Sequence, residues 1–408
     1  MAFSAVKRED DAFIYSKSRK NTIICVLFSM LLYMITSPVC YGEELYDVIE
    51  GQLDFLDLSQ LDVFIKAMDE DVQSIMPTFD VRDYIKNKGP GLLPPLNPRK
   101  LVNTSIRVSL KEILINSRLL GELILLAVLY GVLEHLSSAF EHEGTSTLAY
   151  MVSYLALIAI AIRSLMECLK IGQTTIENMV VFMYSLIPVM LSLLVATGGI
   201  ASAAIFTPIT LFLTNGIGTM INTIIFPMIF LSSILAIVSN ISDKVQVSRV
   251  SKLIDQVVML LLGLVFTIFT GIVGIYGLAT PLKDGIPLRL GKFIAGAFVP
   301  IVGSFLTEAV TVAAGGALVI KSALGVLGAS AILLTCLFPA IKIMVVVFIH
   351  RLAAALIQPI SNSKLVEALT ALGNSLTRIF AAMVIVAMMF FICIMVIVGM
   401  GSMITMVR

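Results

Sequence analysis

The stretch IFAAMVIVAMMFFICIMVIVGM, residues 379–400, runs for 22 residues without a charge, an amide or a hydroxyl group. A helix needs about 20 apolar residues to cross the hydrocarbon of a bilayer, so this segment reads as a membrane-spanning helix. The rest of the chain follows suit: of 408 residues, 58% are hydrophobic and 13% charged, with a mean hydropathy of +0.99. Soluble domains carry roughly 25% charged residues, and half of that leaves too little polar material to cover a water-facing surface. The bilayer is the expected solvent and an all-α polytopic helical bundle the expected fold. Further apolar segments lie at 119–136, 148–162, 179–198, 200–214, 221–238, 257–280, 293–316, 317–332 and 333–349. Several are shorter than a full span, and most of the short ones are rich in Gly or Pro.

Charge and motif content exclude several function classes. With 28 Lys and Arg against 27 Asp and Glu there is no basic excess to hold nucleic acid. Cys25, Cys40, Cys168, Cys336 and Cys393 show no CxxC spacing and read as packing residues, not as a disulfide framework or a metal site. The run from Gly285 to Phe293 resembles a phosphate loop, but its glycines are one residue too far apart and no Ser or Thr follows Lys292. Glu134, His135, Glu141, His142 and Glu143 lack HExxH spacing and read as a solvated helix end. His350 completes no Ser, His and Asp set. No enzyme, cofactor or metal is expected.

The N-terminus reads as an address. Lys7, Arg8, Lys17, Arg19 and Lys20 precede the apolar run from Ile23 to Ile35, and small residues surround Cys40 and Gly42, the order of a signal peptide over 1–42. An uncleaved first anchor is the alternative. Between Glu43 and Ile85 stand twelve acidic residues and two basic ones, an exported acidic segment, and Pro90, Pro94, Pro95 and Pro98 make a linker that closes it at residue 98. Over 99–118, Ile106, Leu110, Ile113 and Leu114 line one helical face with Arg107, Lys111 and Arg118 on or near the other. That pattern suits an amphipathic helix lying on the membrane surface, or an extension of the first spanning helix.

The membrane body carries a repeat signal. A gapless shift of 112 residues superposes Pro188 on Pro300, Gly216 on Gly328, and Phe226-Pro227 on Phe338-Pro339. It also sets the pentapeptide Ser251 to Asp255 on Ser363 to Glu367. The expected organisation is two leading transmembrane helices in 119–178, then membrane repeats at 179–290 and 291–408. If every segment spans, each copy holds four spans and the repeats are parallel; if one short segment per copy dips in and returns, they are inverted. With an exported N-terminus, the parallel reading puts the loops 239–256 and 350–368 on the cytoplasmic side, in keeping with their Lys and Arg, and the basic residues of 283–292 outside, against the rule.

Candidate sites follow from what a bilayer penalises. Pro188, Pro227, Pro300 and Pro339 are candidate helix breaks, as are Gly198, Gly199, Gly216 and Gly218 in one copy and Gly315, Gly316, Gly325 and Gly328 in the other. Small residues also let helices approach closely, the alternative role for the glycines. A charge at mid-membrane costs about 2.5–3.5 kcal/mol on insertion scales. Glu308, Lys321 and Lys342 stand in apolar surroundings, opposite the uncharged Ala196, Ile209 and Phe230 under the shift. They are the candidate pathway or partner-contact charges, with a structural ion pair or snorkelling as alternatives. Glu122, four residues after Arg118, reads as a local helix pair.

Several of these motifs resemble the stage III sporulation protein AE family: Phe79 to Ile85, Leu110 to Leu114 with Leu119-Leu120-Gly121, Gly198 to Ala204, Phe298 to Gly303, Phe338 to Lys342, Leu352 to Pro359, and the ending Met406-Val407-Arg408. The resemblance runs in order over nearly the whole chain beyond residue 40. It implies a multi-pass protein of an endospore-forming bacterium, made in the mother cell and set in the outer forespore membrane. There the family serves a secretion-like channel that links mother cell and forespore and sustains late forespore gene expression. Implied partners are the other proteins of the same operon, namely an ATPase-like member, ring-forming members and small membrane members, together with the forespore channel partner. The family carries no catalytic residues to transfer. A membrane scaffold that anchors ring proteins without conducting, and an independent secondary transporter, are the competing readings.

Overall fold

The computed structural model describes residues 98–139, 143–241, 247–298, 302–359 and 363–406, together with Gly51 and Val63. The signal peptide, the remainder of the acidic segment, the Pro-rich linker up to residue 97, Pro300 and the C-terminal Val407 and Arg408 lie outside the described residues. Seven α-helices and one π-helical turn make up the described chain from residue 98 onward: α1 (Pro98–Ala139), α2 (Glu143–Ala196), α3 (Ile200–Met220), the π turn (Ile221–Ile225), α4 (Phe226–Ile241), α5 (Ser248–Phe298), α6 (Val302–Ile357) and α7 (Ser363–Met406). Among the described residues there is no strand. Among the described residues six stretches are long and apolar enough to cross a bilayer: Arg99–Val132, Tyr154–Ala196, Ile200–Ser239, Ser248–Pro281, Thr311–Ile357 and Lys364–Gly401. The chain is a polytopic α-helical membrane bundle.

Nine of the ten apolar segments thus merge into six helical passes, and the described residues of the tenth, 293–316, fall on the end of α5 and the start of α6. Where no turn chemistry separates two apolar runs, each further residue adds a backbone hydrogen bond and the helix propagates. The 148–162 and 179–198 segments fall on α2, and 317–332 and 333–349 on α6. Residues 99–118 continue without a break into 119–139 as α1.

The hairpin of α6 and α7 forms the heart of the bundle. On α7, Leu365, Leu369, Leu372, Leu376, Ile379 and Met383 open a series, completed by Val386, Phe390, Cys393, Ile397 and Met400, that is at most 1% exposed throughout. Its spacing alternates strictly between four and three residues, the seam of a coiled coil. On α6, Ala317, Ile320, Leu324, Leu327, Ala331 and Leu334 keep the same alternation toward Phe338. In lipid the gain comes from dispersion contacts rather than from removal of apolar surface from water, so close approach matters. A Cβ at Gly328 would strike Leu186 of α2, and one at Gly325 would strike Val398 of α7. These two glycines serve packing inside a continuous helix.

The sharp break between α2 and α3 falls at Thr197 to Gly199. Gly198 has φ 96°, a left-handed conformation that costs an L side chain, and among the described residues it is the only one with positive φ. Gly199 N donates to Leu194 O at 2.9 Å, and Thr197 Oγ1 to Leu194 O at 2.7 Å, so the carbonyls at the end of α2 are met. At the start of α3 the N–H groups of Ala201 and Ser202 donate to Asp284 Oδ1 and Oδ2, at 2.9 and 3.0 Å. A carboxylate from α5 therefore satisfies two orphan donors and faces the positive end of the α3 dipole.

Proline does less than its chemistry suggests. Pro188 lies inside α2 and Pro339 inside α6, and both helices run through them; Pro208 does the same in α3. One missing N–H is tolerable where neighbouring helices hold the rod, which is why spanning helices carry interior prolines. Pro227 stands two residues past Ile225, the last residue of the π turn, whose wider winding lies where a proline removes a regular bond. The 112-residue shift carries the α3–α4 pass and α5 onto α6 and α7, and sets the connection 242–247 beside the one after Ile357. The break at 197–199, however, meets 309–311, which is continuous helix. One junction matches and the other does not, so the fold alone does not establish a duplication.

Candidate functional site

Among the described residues, two polar features inside the apolar body stand at different levels. At the first, Asp255 on α5 receives Nη2 of Arg378 on α7 and the hydroxyl of Ser232 on α4. Arg378 Nη1 donates to Ser375 Oγ at 3.2 Å, and Ser251 Oγ donates to Ser232 O at 2.9 Å. Three helices are thereby tied through one carboxylate, whose side chain is 22% exposed, and one guanidinium at 16%. The geometry follows from sequence position. Arg378 directly precedes the uncharged stretch 379–400, and Asp255 precedes the apolar run 257–280. Antiparallel α5 and α4 and the descending α7 bring these boundary charges to one height.

The second level holds Lys321 on α6. Its side chain is 0% exposed, and among the described residues Nζ has no hydrogen-bond partner. Room for it comes from Gly401 of α7, where a Cβ would meet Nζ and would stand 3.0 Å from Leu318 Cδ1. Gly401 comes 23 residues after Arg378, a rise of about 34 Å. The two levels are therefore separated by roughly the thickness of a hydrocarbon core, about 30 Å, and the heptad seam fills the interval.

A third polar contact links α2 and α6. His350, 0% exposed, donates from Nδ1 to Val346 O at 2.9 Å, the carbonyl being able only to accept, and its Nε2 lies 3.0 Å from Ser164 Oγ. Gly373 of α7 packs beside His350 Cβ.

The three charges selected from sequence do not converge. Glu308, Lys321 and Lys342 are strung along α6 over 34 residues, about 50 Å of helix. Lys321 is sealed, Lys342 is half-buried, and the side chain of Glu308 lies outside what the structure describes. Asp255 and Arg378, which sequence reasoning missed as a site, form the best-connected cluster; the available signal was a charge abutting each of two apolar runs. Among the described residues no three His, Cys, Asp or Glu side chains group as a metal site would require.

A bundle of six apolar passes tied together by internal polar contacts defines a multi-pass membrane protein. Residues 79–401 match the family model for stage III sporulation protein AE, and the chain belongs to that family. It is 36% identical over 312 residues to stage III sporulation protein AE of Bacillus subtilis (strain 168), covering 76% of this chain and 78% of that protein. No solved structure matches it.

Proposed function

We propose that this protein is a non-enzymatic integral component of the sporulation channel complex between mother cell and forespore, seated in the outer forespore membrane and needed for late forespore gene expression. Its partners in this reading are the other proteins of its operon and the forespore channel partner. The observation that carries the reading is the pairing of a sporulation family match over residues 79–401 with an apolar bundle that retains a fully buried Lys321 whose Nζ has no hydrogen-bond partner among the described residues. A bundle serving only as a membrane anchor gains nothing from such a group, since a buried polar atom without a partner costs about 1–3 kcal/mol.

The scaffold reading has its own support, because Lys321 is sealed from solvent on every side in this conformation. Lys321→Met, Asp255→Asn and Glu308→Gln, introduced singly, separate the two. Complex assembly is read by co-purification and channel function by a late forespore reporter. Normal assembly with a silent reporter supports the pathway reading. Lost assembly supports the scaffold, and normal values for both in all three variants refute a role for these groups.

A further inference from the structure

α2 has 54 residues, about 81 Å of helix, against some 30 Å of hydrocarbon. Its exposed face is not uniformly apolar: Val152 and Leu155 lead into Arg163, Glu167, Lys170 and Glu177, and then Val181. Steps of three, four, seven and eight residues keep these on one side of the helix. α1 carries a matching stripe, with Arg107, Arg118 and Glu122 running into Leu125, Leu129 and Val132. On both helices the buried residues stand on the opposite side, Leu123, Ala127 and Tyr130 on α1, and Leu157, Ala161 and Leu165 on α2. Both stripes therefore point away from the bundle, and four exposed charges at the middle of α2 make poor lipid neighbours.

The rings of Tyr130 and Tyr154 lie 6.0 Å apart and fix the register of the antiparallel α1–α2 hairpin. Residues equally far from this pair stand at equal heights. Val132 is level with Val152, and Leu129 with Leu155. Within one residue, Glu122 is level with Arg163 and Arg118 with Glu167. Arg107 is level with Glu177. Within the chain these charges satisfy their own helix or a neighbour instead: Arg118 Nε to Glu122 at 2.8 Å, Arg163 Nε to Glu167 at 3.4 Å, and Asn222 Nδ2 to Glu177 at 3.3 Å. A two-fold axis along the membrane normal keeps every height and sets α1 of one copy against α2 of the next. Every opposed pair named above then joins apolar to apolar or opposite charges, in both halves of the interface. Lys170 comes level with Leu114, and its like-charged neighbour Lys111 is one turn away.

We propose that the α1–α2 hairpin is a dimerisation face for a second copy of this chain, forming an antiparallel four-helix contact in which Arg163 meets Glu122 and Glu167 meets Arg118 of the other protomer. The test uses two differently tagged full-length copies expressed together in one membrane, one carrying Leu129→Cys and the other Leu155→Cys, under mild oxidation. The expected result is a doubly tagged disulfide dimer at least five-fold above a control pairing Leu129→Cys with Leu260→Cys on the exposed face of α5. Arg163→Glu in both copies lowers the yield at least five-fold, and adding Glu122→Arg to both restores it. A yield no higher than the control, capture of the Leu129→Cys copy solely by a different polypeptide, or indifference to charge reversal overturns the proposal.

Discussion

Asp255 and Arg378 pose the residue-scale problem of the fold, because each was removed from bulk water and each has the other as its main compensation. Removing one partner of a buried pair costs about 3–5 kcal/mol, and the partial exposure here lowers that toward about 2 kcal/mol. Asp255→Ala should therefore reduce the thermal midpoint in detergent by several degrees, and the double change with Arg378→Leu should recover at least half of the loss. A double variant no better than the single one would show that the pair does not act as a unit. Lys321 poses the reverse case. Lys321→Met keeps the length and discards an unpartnered amine, so it should raise the midpoint, by about 1–3 kcal/mol of stability. Legibility at this scale was uneven. Lys321 could be singled out from sequence because it interrupts an apolar run. Asp255 escaped notice because it sits at the edge of one, where a solvated end is the ordinary reading.

At the scale of elements, hydropathy located the spanning segments but misjudged where one ends and the next begins. The seam of α7 was present in the text as a strict four-three alternation, and its apolar run was read as one span. Pro188 and Pro339 were read as breaks because a missing N–H weakens an isolated helix. Packing against neighbouring helices lets α2 and α6 continue through them, information that no single helix contains. The true corner at Gly198 needed a positive φ and a carboxylate from 83 residues away. Gly198→Ala should cost about 1 kcal/mol. Asp284→Ala leaves the Ala201 and Ser202 N–H groups without acceptors and should cost about 1–2 kcal/mol, seen as earlier proteolysis near residue 199. Equal protease resistance in the wild type and Asp284→Ala would remove the cap from the account.

At the scale of the whole molecule, six passes return the end of α7 to the side on which α1 starts. The ends of α1, α4 and α6 share one side, and the starts of α1 and α3 share the other with the end of α7. Single cysteines at Lys244 and Asn362 should react with an impermeant thiol reagent from one side, and a cysteine at Gly199 from the other. Labelling of 199 and 244 from the same side would show that a pass has been miscounted. Sequence alone could not fix the number of passes, since polar stretches inside α2 look like loops until neighbouring helices are seen to cover their other faces. α6 has 56 unbroken residues, about 84 Å from tip to tip. Such a rod behaves as a lever: a tilt of about 5° about its centre carries each end sideways by nearly 4 Å. A push delivered at the Ile357 end would be felt, reversed in direction, at the Val302 end, with no hinge required between them.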